Sequence, residues 1–184
     1  GGQVDNAIAT SEKLLEVRPD DGTALLLVAI GRMREGDFAA ANEFVAAVPA
    51  TGLNRVLGPI VEAWTLVGLN RVDDALAALD KLAINSSYAA FQMYHSALIQ
   101  GFDGRVEGAE ERFKMILESG VSSRSVEAYG AFLENQDRSD EAANLYRNFL
   151  GAVPDDQIIA AALDRLETGT VAAPMIPDVL AGLA

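Results

Sequence analysis

Apolar residues recur at intervals of three and four along most of this chain. Leu57, Ile60, Val61, Trp64 and Val67 share one helical face, and so do Phe91, Tyr94, Leu98 and Phe102. Near the C-terminal end Ile158, Ile159, Ala162, Leu163 and Leu166 form another. Alternating runs of Val, Ile and Thr are missing, so no sheet is expected. The pattern predicts helices near residues 3–17, 22–35, 37–48, 54–69, 71–84, 87–102, 105–119, 123–136, 139–152 and 155–167. The last of these is expected to cap the stack.

A longer period organises these helices. Gly2, Gly36, Asn70, Gly104 and Asp137 recur at an almost constant step, the last interval being one shorter than the others. Gly, Asn and Asp tolerate the left-handed backbone at a helix C-terminus, so each site reads as the corner of a helical hairpin. A polar residue follows each corner to open the second helix: Gln3, Asp37, Arg71, Arg105 and Arg138. Then comes an apolar residue (Val4, Phe38, Val72, Val106, with Ser139 the exception) and an alanine (Ala7, Ala41, Ala75, Ala109, Ala142). A small residue there lets the two helices approach. Pro19 and Pro154 stop second helices. One hairpin per step of about 34 residues is the signature of an α-solenoid. Such folds are binding surfaces far more often than enzymes.

The pattern resembles the tetratricopeptide repeat. The family's second helix carries a small residue, a large one four later, an apolar one three later, then proline. Ala142, Tyr146, Phe149 and Pro154 match this. Ala7, Leu14 and Pro19 match in the first repeat, with Ser11 at the large position, and Ala109, Phe113 and Ile116 match in the fourth. In the first helix Tyr129-Gly130 fits the family's large-then-glycine pair, and Ala29, Ala63 and Ala97 are small at the same place. The resemblance implies an all-α fold, a right-handed superhelix of antiparallel helical hairpins over residues 1–167. Arg32 and Glu62 depart from it, being charged where the family is usually buried; they are expected to pair across the stack. Residues 168–177 read as a linker and 178–184 as the start of a further helix. The abrupt ends read as those of a piece of a longer protein. A similarity to exported bacterial proteins of this family implies an envelope location for the whole.

In this family the first helix of each repeat lines a concave groove. Carried over by alignment, the partner-binding positions are Leu26, Ile30 and Met33; Leu57, Ile60, Trp64 and Val67; and Phe91, Tyr94, His95, Leu98 and Phe102. At the C-terminal end they become Arg124, Glu127, Ala131, Glu134 and Asn135. The groove is thus expected to be apolar and aromatic in its middle, anchored on Trp64, Tyr94, Phe91 and Ile60, and polar at its end. Leu26, Ile30, Ile60, Trp64, Tyr94 and Leu98 cannot supply the charges of the carboxylate clamp found in some relatives. The expected occupant is a protein or peptide segment. The alternative is a structural segment of a longer solenoid whose groove is filled by its own chain, with residues 171–184 apolar enough to serve, or by a homodimer partner; a second alternative is an apolar small molecule or lipid in the groove. The competing reading of the same stripe is ordinary core.

Composition narrows the classes. With 14 Lys and Arg against 27 Asp and Glu, the net charge is −13, and no basic stripe suited to nucleic acid exists. The surplus acid reads mostly as a solvated outer face. There is no cysteine, and no apolar run approaches the roughly 20 residues of a membrane helix. The single histidine, His95, has no nucleophile or acid beside it in sequence except Ser96, which points about 100° away on a helix. One histidine and no cysteine leave no metal motif, and acidic groups such as Glu107, Glu110 and Glu111 or Asp73, Asp74 and Asp80 look solvated. Gly101-Phe102-Asp103-Gly104 lies at a helix–helix corner and lacks the strand-to-helix context of a phosphate loop. The expectation is a non-enzymatic module without cofactor or metal.

Overall fold

A computed structural model describes residues 2–83 and 86–169, and the fold is all-α, with no strand among the described residues. Its helices are α1 (Gly2–Val17), α2 (Gly22–Arg34), α3 (Phe38–Ala46), α4 (Asn54–Gly68), α5 (Val72–Ala83), α6 (Ala89–Phe102), α7 (Val106–Ser119), α8 (Ser123–Asn135), α9 (Ser139–Ala152) and α10 (Gln157–Glu167). A 3-10 turn at Ser86–Tyr88 leads into α6. The chain divides into two compact units, the first running to His95 and the second starting at Ser96. In the first unit α1 packs on α2, α2 on α3, α3 on α4 and α4 on α5, and α2 also packs on α4. In the second, α7 packs on α8, α8 on α9 and α9 on α10, and α8 also packs on α10. Within each unit these helices meet their neighbours in sequence, and alternate first helices meet as well, which is the packing of stacked helical pairs.

Four of the five expected corners are one repeated hydrogen-bonded motif. Gly36, Asn70, Gly104 and Asp137 all have left-handed φ, between 57° and 78°. The amide after each corner donates back to the carbonyl five residues earlier: Asp37 to Arg32, Arg71 to Leu66, Arg105 to Gln100 and Arg138 to Leu133, every one at 2.9 Å. The corner amide itself donates to the carbonyl three residues earlier. Two orphan carbonyls are satisfied each time, and the chain is turned in the same way. The next helix then begins by the alanine amide donating back to the residue after the corner, as in Ala41 to Asp37 and Ala109 to Arg105, both at 3.0 Å. Gly2 is a correction. It is the first residue of α1 and lies in no such corner.

Burial follows the period. Ala29, Ala63 and Ala97 on first helices, and Ala41, Ala75, Ala109 and Ala142 on second helices, have no accessible surface. Four residues after each of the latter four stands a buried larger side chain: Val45, Leu79, Phe113 and Tyr146. Each contributes on the order of 2 kcal/mol by burial. The close approach shows in the second unit, where a Cβ on Gly130 would collide with the Tyr146 ring. In the first unit Gly68 meets the Phe38 ring in the same way.

The first helices start on side-chain caps where the sequence offers them. Asp21 accepts from the Ala24 amide, Ser122 and Ser125 form a reciprocal capping box, and Asp156 accepts from the amides of Ile158 and Ile159. Arg32 and Glu62 do not pair. Arg32 is taken by Glu12 and Glu35, both at 2.8 Å, and Glu62 by Lys81 at 2.7 Å. About a third of each side chain is accessible, so neither needed the other to escape burial. The predicted C-terminal helix 178–184, and the linker beyond Gly169, lie outside the described residues. Thr168, expected in that linker, is the C-cap of α10.

Candidate interaction surface

The helical register of α4 and α6 decides which candidate groove residues reach solvent. In the first unit Leu26, Met33, Trp64 and Val67 are buried, Trp64 at 5% exposure. Ile30, Ile60, Tyr94 and His95 are half-buried. Leu57 and Phe91 are exposed, at 40% and 51%. In the second unit Leu98 is buried and Phe102 is 37% exposed. Leu57 and Phe91 stand one full repeat apart, at the same register of successive first helices, and Ile60 and Tyr94 share the register three positions on. Of the candidate groove positions in the first unit, Leu57 and Phe91 are therefore the exposed ones, with Ile60 and Tyr94 partly open.

Trp64 serves the interior. Its indole N–H donates to His95 Nδ1 at 3.1 Å, and the two rings meet edge to face with centroids 6.3 Å apart. Tyr94 packs edge-on against the same imidazole at 5.5 Å. Burial pushes the His95 pKa down to about 4, so the ring is neutral at pH 7 and free to accept. Sequence reasoning placed these residues on adjacent first helices without pairing them. The signal was present: Trp64 and Leu98 hold the same place in successive repeats, and His95 sits one turn before Leu98.

The polar end is neutralised from within. Arg124 pairs with Glu127 at 3.7 Å. Glu134, only 8% exposed, accepts two hydrogen bonds from Arg165 at 2.7 and 2.8 Å and one from the Tyr146 hydroxyl at 2.9 Å. Burial and Glu134 together hold the Tyr146 phenol well above its usual pKa. A second network joins Glu110 to Arg138, Lys114 and the Tyr129 hydroxyl, and those cations hold the Glu110 carboxyl down at about 2. Ala131 is buried and Asn135 exposed.

Among the described residues no group of three or more His, Asp or Glu side chains is placed to hold a metal ion. No described helix is long and apolar enough to cross a membrane. No family model, curated protein or solved structure matches the chain.

Proposed function

We propose that the chain is a non-enzymatic interaction module of the tetratricopeptide type, binding a segment of a partner protein along its first helices. The four identical corners, the small residues buried once per repeat and the Gly130–Tyr146 contact support that family reading. A right-handed superhelix is part of the same reading. The observation that carries the functional reading is the recurrence of exposed apolar side chains, Leu57 and Phe91, at one register of two successive first helices. Isolated exposed apolar residues need no explanation, but a repeated register is a surface property of the repeat. In this reading Leu57 and Phe91 are the anchors, with Ile60 and Tyr94 forming the floor between them. The net charge of −13 favours a segment with neutral or basic flanks.

The test is selection from a displayed peptide library on the wild-type chain, followed by calorimetry with the enriched peptides. Leu57→Asp combined with Phe91→Asp removes the anchors at exposed sites, so helicity is retained and binding is expected to fall at least tenfold, about 1.4 kcal/mol or more. Enriched peptides that bind the double variant as tightly as wild type would sink the proposal.

A further inference from the structure

The face formed by α3, the segment 47–53, α4 and α5 holds a crevice of about 620 Å³, within the size range of small-molecule sites. None of the twelve groove positions lines it. Its apolar wall is Val45, Val48 and Pro59, and its polar groups are Asn42, Asn54, Arg55, Glu62 and Lys81. Two residues open it. Gly58 is buried, yet nothing lies within 4 Å of where its Cβ would stand. Pro59 sits inside α4 and has no N–H, so the Arg55 carbonyl lacks its usual helical donor.

Arg55 is the unusual member. Asp21 and Ser122, which cap α2 and α8, hold the same place in their own repeats, and Ala89 holds it in a third, so this chain has a cation where two other repeats place a helix cap. Helix α4 instead starts at Asn54 with no side-chain cap. The Arg55 Nε donates to the Ala50 carbonyl at 2.9 Å, which fixes the guanidinium plane. Among the described residues no carboxylate lies within salt-bridge distance of it, in a chain with 27 acidic side chains against 14 basic ones. Lys81 is satisfied by Glu62, at 2.7 and 3.0 Å. The Asn54 amide is seated against Gly22. The corresponding crevice in the second unit, about 370 Å³, is lined by Leu117, Val121, Val126, Leu145 and Phe149 with no charged side chain. The repeat alone therefore does not dictate a polar lining.

We propose that the Arg55–Gly58 crevice is a binding site for a small organic carboxylate with a short aliphatic body. The two free Nη groups of Arg55 fork the carboxylate, the Asn42 amide flanks it, and the methylenes lie on Val45, Val48 and Pro59. The site is independent of the partner surface proposed above.

Amide NMR titration of the wild-type chain with sodium hexanoate, sodium acetate and hexylamine tests it. Hexanoate is expected to shift Asn54, Gly58 and Glu62 saturably, with acetate about tenfold weaker or more for want of apolar contact. Arg55→Gln and Gly58→Leu should each weaken hexanoate by about tenfold or more, the first by removing the fork and the second by filling the space. Gly58→Leu leaves Arg55 and its loop contact intact, so a folding defect in the other variant does not decide the matter. No saturable shift in wild type, equal response to hexylamine, or unchanged binding in Gly58→Leu would each overturn the proposal.

Discussion

The Tyr146 ring occupies the space that a Cβ on Gly130 would need. Gly130 stands where other first helices carry Ala29, Ala63 and Ala97, and Tyr146 stands where other second helices carry Val45, Leu79 and Phe113. The bulkiest residue of one series thus coincides with the smallest of the other. Gly130→Ala is expected to destabilise by about 1–3 kcal/mol through overpacking, outweighing the gain from alanine in a helix. Tyr146→Leu alone opens a cavity and loses the hydroxyl bond to Glu134, costing about 2–4 kcal/mol. The pair Ala with Leu already exists at Ala63 and Leu79, so the double variant should cost less than the sum of the two. A double-mutant cycle by urea denaturation measures this coupling, and strict additivity would refute it.

The same tyrosine leads to the second prediction. Glu134 accepts from Arg165 and from the Tyr146 hydroxyl while being 8% exposed. Glu134→Ala leaves the Arg165 guanidinium half-buried without its carboxylate and the phenol without an acceptor. The expected loss is about 2–4 kcal/mol. By contrast Glu167→Ala, which breaks an exposed pair with Arg147, should cost less than about 1 kcal/mol. Denaturation curves for the two variants should separate clearly.

What was legible in the sequence follows from range. The corners at Gly36, Asn70, Gly104 and Asp137 are local: a left-handed residue, a following polar residue and an alanine fix them within one turn on either side. Helix limits came out within a few residues for the same reason. The Arg32–Glu62 pairing failed because equal height on neighbouring helices says nothing about nearer partners. Glu35 was one turn away on the same helix side, and Lys81 was on α5, a helix that a comparison of first helices leaves out. The stripe on α4 was legible as a face, but which of its members turn inward was not. Trp64 and Leu57 both obey the helical spacing, and only the angle at which α4 sits on its neighbours buries one and exposes the other. The carboxylate crevice was missed, although its signal was available as Arg55 standing at a position where Asp21 and Ser122 act as caps.

Corner chemistry offers a third prediction. Asn70 and Asp137 hold φ of 58° and 57°, in the region where a Cβ is strained. Asn70→Ala and Asp137→Ala should each cost about 1 kcal/mol, because alanine lacks the polar side chain that makes this region tolerable. Replacement by glycine removes the Cβ but adds freedom to the unfolded chain, so those variants should fall within about 0.5 kcal/mol of wild type. Melting temperatures that rank alanine above glycine at either corner would contradict the strain argument.

The Trp64–His95 contact makes stability depend on pH with a definite sign. Burial lowers the folded His95 pKa from 6.5 to about 4, so the unfolded chain binds the proton more readily. The contribution of neutral His95 is fully present above the unfolded value. It is lost as pH falls from about 6.5 through 4, amounting to on the order of 3 kcal/mol. Glu110, held down at about 2 by Arg138 and Lys114, acts in a lower window: its contribution is lost as pH falls from about 4.5 towards 2. Urea denaturation of wild type and His95→Gln between pH 7 and 4 should therefore differ in slope, with the variant flatter, while Glu110→Gln should match the wild-type slope above pH 5. Trp64 is the only tryptophan, so its emission reports the contact directly. Protonation at Nδ1 removes the acceptor that the indole N–H uses, and the native-state fluorescence of wild type should titrate near pH 4 while that of His95→Gln stays level. A wild-type fluorescence midpoint at 6 or above would mean that His95 is solvated and that the contact with Trp64 is not maintained in solution.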